Sequence, residues 1–309
     1  MSFYYWKTVF QLSETEKQVL SENGVTQLYL RYFDIELSPK TLRPQPVSAI
    51  HFNEKPQQKV VPVVYIKNEV MLQKDLDVKD LVAKTRDFIQ QINRKNDIHV
   101  DEIQIDCDWT LASRDQYLKF IDLFQKSATE KLSATIRLHQ VKYFGQTKIP
   151  NVDYGVLMYY NMGKIAPDSL NSIYNRQIAE RYLKSLQNYP LRLEVALPVY
   201  SWAVHIHDNK AIGLKSKMSL SELNHDQSFK KTGNYFFEVR VSHYKNGTFY
   251  RKNDRLKIEC IQPKDLEEMA SDLSDNLKTI PKQVIFYDLD EYNTKNYEKG
   301  FFTQVADWF

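Results

Sequence analysis

The chain has 309 residues, and its 42 Lys and Arg against 39 Asp and Glu leave a formal charge of only +3, too little to track a phosphate backbone; nucleic acid is not expected as a partner. A hydrophobic content of 42% supports a core of β/α-barrel size and excludes a disordered chain, two cysteines exclude a disulfide framework, and no run approaches the ~20 apolar residues of a membrane span. Aromatic residues are plentiful, with 20 Tyr, 16 Phe and 4 Trp, a composition suited to stacking on the apolar faces of sugars.

Taken in chain order, the start "MSFYYWKTVFQLSETEKQ" lacks the basic and long apolar regions of an export signal, so a soluble chain is expected. Apolar runs of strand length follow at 26–34, 60–67, 102–109, 132–140, 153–161, 191–200, 255–261 and 283–292, which makes eight. Helical patterns fall between many of them, at 13–22, 77–95, 112–129, 168–187 and 264–278, the first opened by the capping-box pair Ser13 and Glu16. Residues 35–59 and 141–152 show no helix. This predicts an α/β fold, a single (β/α)8 TIM-type barrel over 1–309 with some helices missing, and a doubly wound open sheet as the next candidate. Residues 203–254 read as an insertion after the sixth strand, with a hairpin turning at Asn246-Gly247.

In such a barrel alternate side chains of each strand point inward, and functional groups gather at strand C-termini. Within "IQIDCDWT" (103–110) the alternation puts Gln104, Asp106 and Asp108 on the lumen face and Ile103, Ile105 and Cys107 against the helices. Carboxylates at ~6–7 Å along one strand raise each other's pKa and can divide acid and ionised roles. The same alternation groups Thr135, Arg137 and His139 on one strand, and Arg192, Glu194 and Tyr200 on another; the first strand ends at Arg31 to Asp34 and the last at Tyr287 to Glu291. The candidate catalytic residues are therefore Asp106, Asp108, Glu194 and Asp288. Arg31, Arg137, His139, Tyr160, Asn161, Tyr200, Trp202 and Asp290 are the candidate substrate-binding residues. Buried ion pairs would be the structural alternative for Arg137 with Asp106 or Arg192 with Glu194. His205 and His207 could reach one metal from a strand, but no third ligand stands at a telling spacing, so no metal is expected. With eight glycines, no phosphate-cradling loop, no G-x-S-x-G and no H-E-x-x-H, no cofactor is expected either.

"IDCDWT" resembles a degraded form of the D-x-D-W-E signature of chitinase-like glycoside hydrolases of family 18, and "MYYN" (158–161) resembles that family's Met-x-Tyr-Asp element. "IQIDCDWT", "ATIRLHQV" and "VLMYYNMGK", in that order, are similar to a group of uncharacterised bacterial barrel proteins described as glycosyl hydrolases, many of them exported or lipid-anchored. The resemblance implies a β/α barrel, a carbohydrate partner, and a location in the cell envelope or periplasm; without it the chain reads as cytoplasmic. It implies that Asp106 and Asp108 match the family's two aspartates, the second orienting the substrate's 2-acetamido group, and that Tyr160 and Asn161 match the pair that holds that group. Thr110 falls on the general acid, where an alcohol is too weak to protonate a leaving oxygen, and the tryptophan that ends the family's last strand is missing from "FYDLDEYN". Two readings follow: a glycoside hydrolase acting on an oligo- or polysaccharide through relocated carboxylates, and a non-catalytic glycan-binding barrel. A protein partner docking on the insertion is a third. A monomer is expected.

Overall fold

Eight parallel strands close on themselves because the first, β1 (Ser2–Tyr5), pairs on both sides, with the second strand and with the last. The computed structural model describes residues 1–309. In chain order the barrel continues with β2 (Gln27–Leu37), β3 (Lys59–Ile66), β4 (Glu102–Asp106), β5 (Lys131–Arg137), β6 (Tyr154–Met158) and β7 (Leu193–Pro198). An insertion then contributes β8 (Trp202–His207), β9 (Lys210–Ser216), β10 (Phe229–Lys231), β11 (Phe236–Val239) and β12 (Arg255–Glu259), before β13 (Val284–Tyr287) completes the barrel. The insertion strands form their own antiparallel sheet in the order β9-β8-β12-β11-β10.

Helices cover the barrel where the sequence carries caps. Ser13 and Glu16 make the expected capping box of α1 (Glu14–Glu22), and Asp77 caps α2 (Val78–Asn96) through the amides of Lys79 and Asp80. They are followed by α3 (Arg114–Ser127), the short α4 (Leu138–Lys142), α5 (Arg176–Leu186), α6 (Pro263–Asn276), which has Pro263 in its first turn, and α7 (Phe301–Ala306). No helix is long and apolar enough to cross a membrane.

The barrel class is as expected, but its strand assignment is corrected at both ends. Ser2–Tyr5 is a barrel strand, overlooked because four residues buried on every side show no alternation. Residues 255–261, counted as a barrel strand, supply β12 to the insertion sheet, so the insertion follows the seventh strand and not the sixth. Several strands end earlier than their apolar runs. The 132–140 run turns into α4 at Leu138, and the 283–292 run turns into a short helix, Glu291–Thr294, capped by Asp290.

The lumen is filled by hydrogen-bonded polar side chains as well as apolar ones. Tyr4 Oη donates to Gln104 Oε1 (2.6 Å), Gln104 Nε2 to Ser133 Oγ (3.2 Å), and Ser133 Oγ to Glu102 Oε1 (2.8 Å), which Tyr154 Oη also contacts. Every buried polar group in this chain of contacts has a partner, which is the condition for a polar core to hold together. Outside the barrel wall, packing leaves no room at Gly155 of β6. A Cβ there would stand 2.6 Å from Ile136 Cγ1 and 3.0 Å from Leu193 Cδ2, on the two neighbouring strands. Gly155→Ala is therefore expected to destabilise the fold by about 1–3 kcal/mol through overpacking, read as a lower midpoint in urea denaturation.

Candidate functional site

At the C-terminal rim, β4 and β5 bring three charged groups together. Asp106, the last residue of β4, is 5% exposed and accepts a hydrogen bond from Thr135 Oγ1 (2.7 Å). Burial pushes its carboxyl up to about 6, with Asp108 adding to the rise and Arg137 and Thr135 opposing it. Asp108, two residues on and exposed, forms an ion pair with the guanidinium of Arg137, the last residue of β5. Burial works against the Arg137 cation, but Asp106 and Asp108 outweigh it and hold the charge in place.

Beside this triad lies a cleft of about 330 Å³, lined by Asp108, Arg137, His139, Tyr160, Asn161 and Tyr182 among others. That is the small end of the range for ligand pockets. His139 reaches it from the second residue of α4 and not from the strand face first expected, because β5 ends at Arg137. Asn161 sits at φ 53°, its amide donating to Ile173 O (2.8 Å) and its Oδ1 accepting from Tyr200 Oη (2.5 Å). Tyr160 stacks on Tyr287 (5.5 Å between centroids) and meets Tyr200 edge-on (6.0 Å).

From the cleft an unbroken line of rings crosses the rim. Tyr287 contacts Trp6 (5.4 Å), over whose ring the Arg31 guanidinium lies at 5.6 Å, and on the other side Tyr200 contacts Trp202 (5.3 Å). Arg31 is itself held by Asp34, one N–O distance being 2.6 Å. Trp6 was missed because its strand was missed. Tyr65, on β3 in register with Asp106, was missed although the alternation of "VVPVVYIK" puts it on the same face as Val63. Burial, with Asp108 and Asp106, pushes its hydroxyl up to about 12, so it stays a neutral donor at the rim.

Two predicted acids lie elsewhere. Glu194 is the second residue of β7 and belongs to the opposite end of the barrel, where it accepts from the Gln283 amide (2.7 Å) and pairs with Arg192 (3.1 Å). Strand alternation gives the face but not the height, and Glu194 cannot serve a reaction at the rim. Asp290 is 4% exposed and fully engaged, with the Tyr292 amide on Oδ1 (2.9 Å) and Lys217 and Lys7 on Oδ2 (2.8 and 3.3 Å). Burial opposes its charge, but those partners hold its carboxyl below the usual range, which gives it a structural task. Asp288 is half-buried and accepts from Asn293 Nδ2 (2.7 Å); burial, with Asp290 adding, pushes its carboxyl up to about 6. His205 and His207 share one carboxylate, Asp254, at 2.7 and 2.6 Å.

The insertion anchors the rim from behind. Glu259 of β12 accepts from Trp202 Nε1 (2.7 Å) and contacts Ser172 Oγ, fixing the indole and the loop after Tyr160 at once. Lys257 is 2% exposed; it pairs with Glu259 (2.6 Å) and donates to the carbonyls of Ala166 (2.7 Å) and Leu170 (3.0 Å) in that loop.

Solved structures share this architecture over nearly the whole chain. The spore cortex-lytic enzyme SleL of Bacillus cereus matches with a TM-score of 0.57 at 12% identity, covering 99% of this chain and 73% of that one. A chitinase of Bacteroides thetaiotaomicron matches at 0.55 and 12% identity, covering 99% and 96%, and the class V chitinase of Nicotiana tobaccum at 0.54 and 11%, covering 99% and 98%. The fold is that of the chitinase barrels. Identity this low shows a shared barrel fold and nothing about chemistry. No protein-family model and no curated protein matches the chain. Thr110, which the sequence resemblance aligns with a proton donor, is exposed, in a turn where its amide donates to Ser113 Oγ (2.9 Å).

The raised carboxyls set a pH dependence. Between the ordinary aspartate value near 3.9 and about 6, native Asp106 and Asp288 each hold a proton that the unfolded chain has released, so their contribution to stability falls as pH rises through that window and is level above it. Asp288→Asn is expected to make the fall shallower by up to about 1.4 kcal/mol per pH unit, measured by urea unfolding at pH 4 to 7; an unchanged slope would mean that this carboxyl titrates normally. Lys257→Met leaves Glu259 buried without its cation and is expected to cost about 3–5 kcal/mol, read as a lowered denaturation midpoint.

Proposed function

We propose that the protein binds a saccharide at the barrel's C-terminal rim and holds it without cleaving it by the family 18 route. The observation that carries this reading is the pairing, in one cleft, of the rings of Tyr160 and Tyr182 with Asp108, Arg137 and Asn161, beside a line of further rings on the rim, while a hydroxyl stands where the resemblance sets the proton donor. Rings offer flat apolar faces for the C–H side of a pyranose, and the charged pair and amide offer directional bonds to its hydroxyls. Asp106 and Asp108 keep the motif's two aspartates, but Arg137 occupies Asp108 and an alcohol cannot supply the missing proton. The fold shared with the chitinase barrels supports a carbohydrate as the ligand class.

One observation favours hydrolysis as the second reading. The Asp288 carboxyl, half-buried at the end of β13 and pushed up to about 6, would keep a useful protonated fraction near neutrality and would act as a relocated general acid, with Asp108 as the second carboxylate.

Titration calorimetry against N-acetylglucosamine oligomers and a panel of bacterial glycans separates the two. Binding without product formation is expected in the wild type, and Trp202→Ala is expected to weaken it by about tenfold, roughly 1.4 kcal/mol. Release of reducing ends that disappears in Asp288→Asn would replace the binding reading with the hydrolytic one.

A further inference from the structure

The insertion carries a second surface that the rim does not use. Strands His243–Lys245 and Thr248–Tyr250 pair antiparallel, with Tyr244 directly opposite Phe249. The inner side of this hairpin is packed, His243 and Tyr250 lying against Phe229 at 5.2 and 5.8 Å. The other two rings are exposed: Tyr244 is 77% exposed and Phe249 43%, in contact with each other at 4.9 Å, and Val241, three residues before Tyr244, is 65% exposed. Two large exposed rings in mutual contact point to a contact surface.

The hairpin segment's own charge has one sign. Residues 239–253, "VRVSHYKNGTFYRKN", contain four cations and no Asp or Glu. Lys245 is spent on Asp226 (2.5 Å), but Arg240, Arg251 and Lys252 are exposed and enter no salt bridge. They flank the rings from both ends of the hairpin, which lie side by side because the Lys252 amide donates to Ser242 Oγ (2.9 Å).

We propose that this hairpin face is a binding surface for an anionic polysaccharide, its rings taking the apolar faces of successive sugars and Arg240, Arg251 and Lys252 taking their carboxylates. Guanidinium and carboxylate pair bidentately, and exposed rings stack on sugars at little entropic cost because they are already held. A lipid surface fits less well, since Val241, Tyr244 and Phe249 are the only exposed large apolar side chains of 239–253, too little apolar area to anchor a protein in a bilayer. The surface stands apart from the rim reading, whose test is the loss of binding in Trp202→Ala and not in the hairpin variants, so either can fail without the other.

The test is affinity electrophoresis of the full chain in gels containing polygalacturonate or the neutral glucan pullulan. Retardation by polygalacturonate and not by pullulan is expected, weakening severalfold between about 0.05 and 0.3 M NaCl as screening shortens the reach of the cations. Two double variants, Tyr244→Ala with Phe249→Ala and Arg251→Ala with Lys252→Ala, should each weaken binding at least tenfold. Their denaturation midpoints should match the wild type, because these side chains are exposed. Absence of retardation, or retardation unchanged in both double variants, would overturn the proposal. So would binding to phosphatidylserine-containing vesicles with none to polygalacturonate.

Discussion

The rim is organised by a charge imbalance: one guanidinium, Arg137, serves two carboxylates, Asp106 and Asp108. Three charges brought this close to a barrel lumen are costly to desolvate, and the cost is met by dividing the states. Asp108 is exposed and pairs with Arg137 directly. Asp106, buried and satisfied on one oxygen by Thr135, takes the raised pKa. The hydroxyls of Tyr160 and Tyr287 are pushed upward by burial and, in both, further by Asp106 and Asp288, which keeps them neutral donors in the same region. Arg137 is thus the cation that allows the other groups at the rim to coexist.

A second constraint comes from outside the barrel. The loop between β6 and α5 carries Asn161 and closes one side of the cleft, yet it has no secondary structure of its own from Met162 to Tyr174. Its shape is imposed by Lys257 and Glu259, which reach from the insertion sheet to its carbonyls and to Ser172. The same Glu259 orients Trp202, so one buried carboxylate fixes a loop and an aromatic platform together. Buried ion pairs contribute specificity of conformation more readily than net stability, and that is the role this geometry gives Lys257 and Glu259.

Much of this was legible in the sequence. Periodicity gave the barrel, the pair Ser13 and Glu16 gave the start of α1, and alternation put Asp106, Asp108 and Arg137 on one face, whereas the helix expected over 168–187 begins only at Arg176. What it could not provide was height along a strand: Glu194 shares the inward face with the rim residues yet lies at the other end, because a period of two carries no information about where the strand begins. Short, fully buried strands were equally opaque, which hid Ser2–Tyr5 and with it Trp6. Asp290 looked like a free acid because its cations, Lys7 and Lys217, arrive from distant parts of the chain. Local pattern reads local geometry, and long-range partners decide whether an acid is a reagent or a brace.

Thr110 gains its meaning from these partners, on the reading that the cleft binds a saccharide and does not cleave it. Its hydroxyl lies 3.5 Å from Ser113 Oγ, in a turn where its amide donates to the same oxygen, and Asp108 is turned toward Arg137. An alcohol at 110 cannot supply a proton to a leaving oxygen. Under that reading a carboxylate placed at 110 alone would still stand beside an Asp108 engaged by Arg137, so the hydroxyl and the guanidinium would act in the same direction.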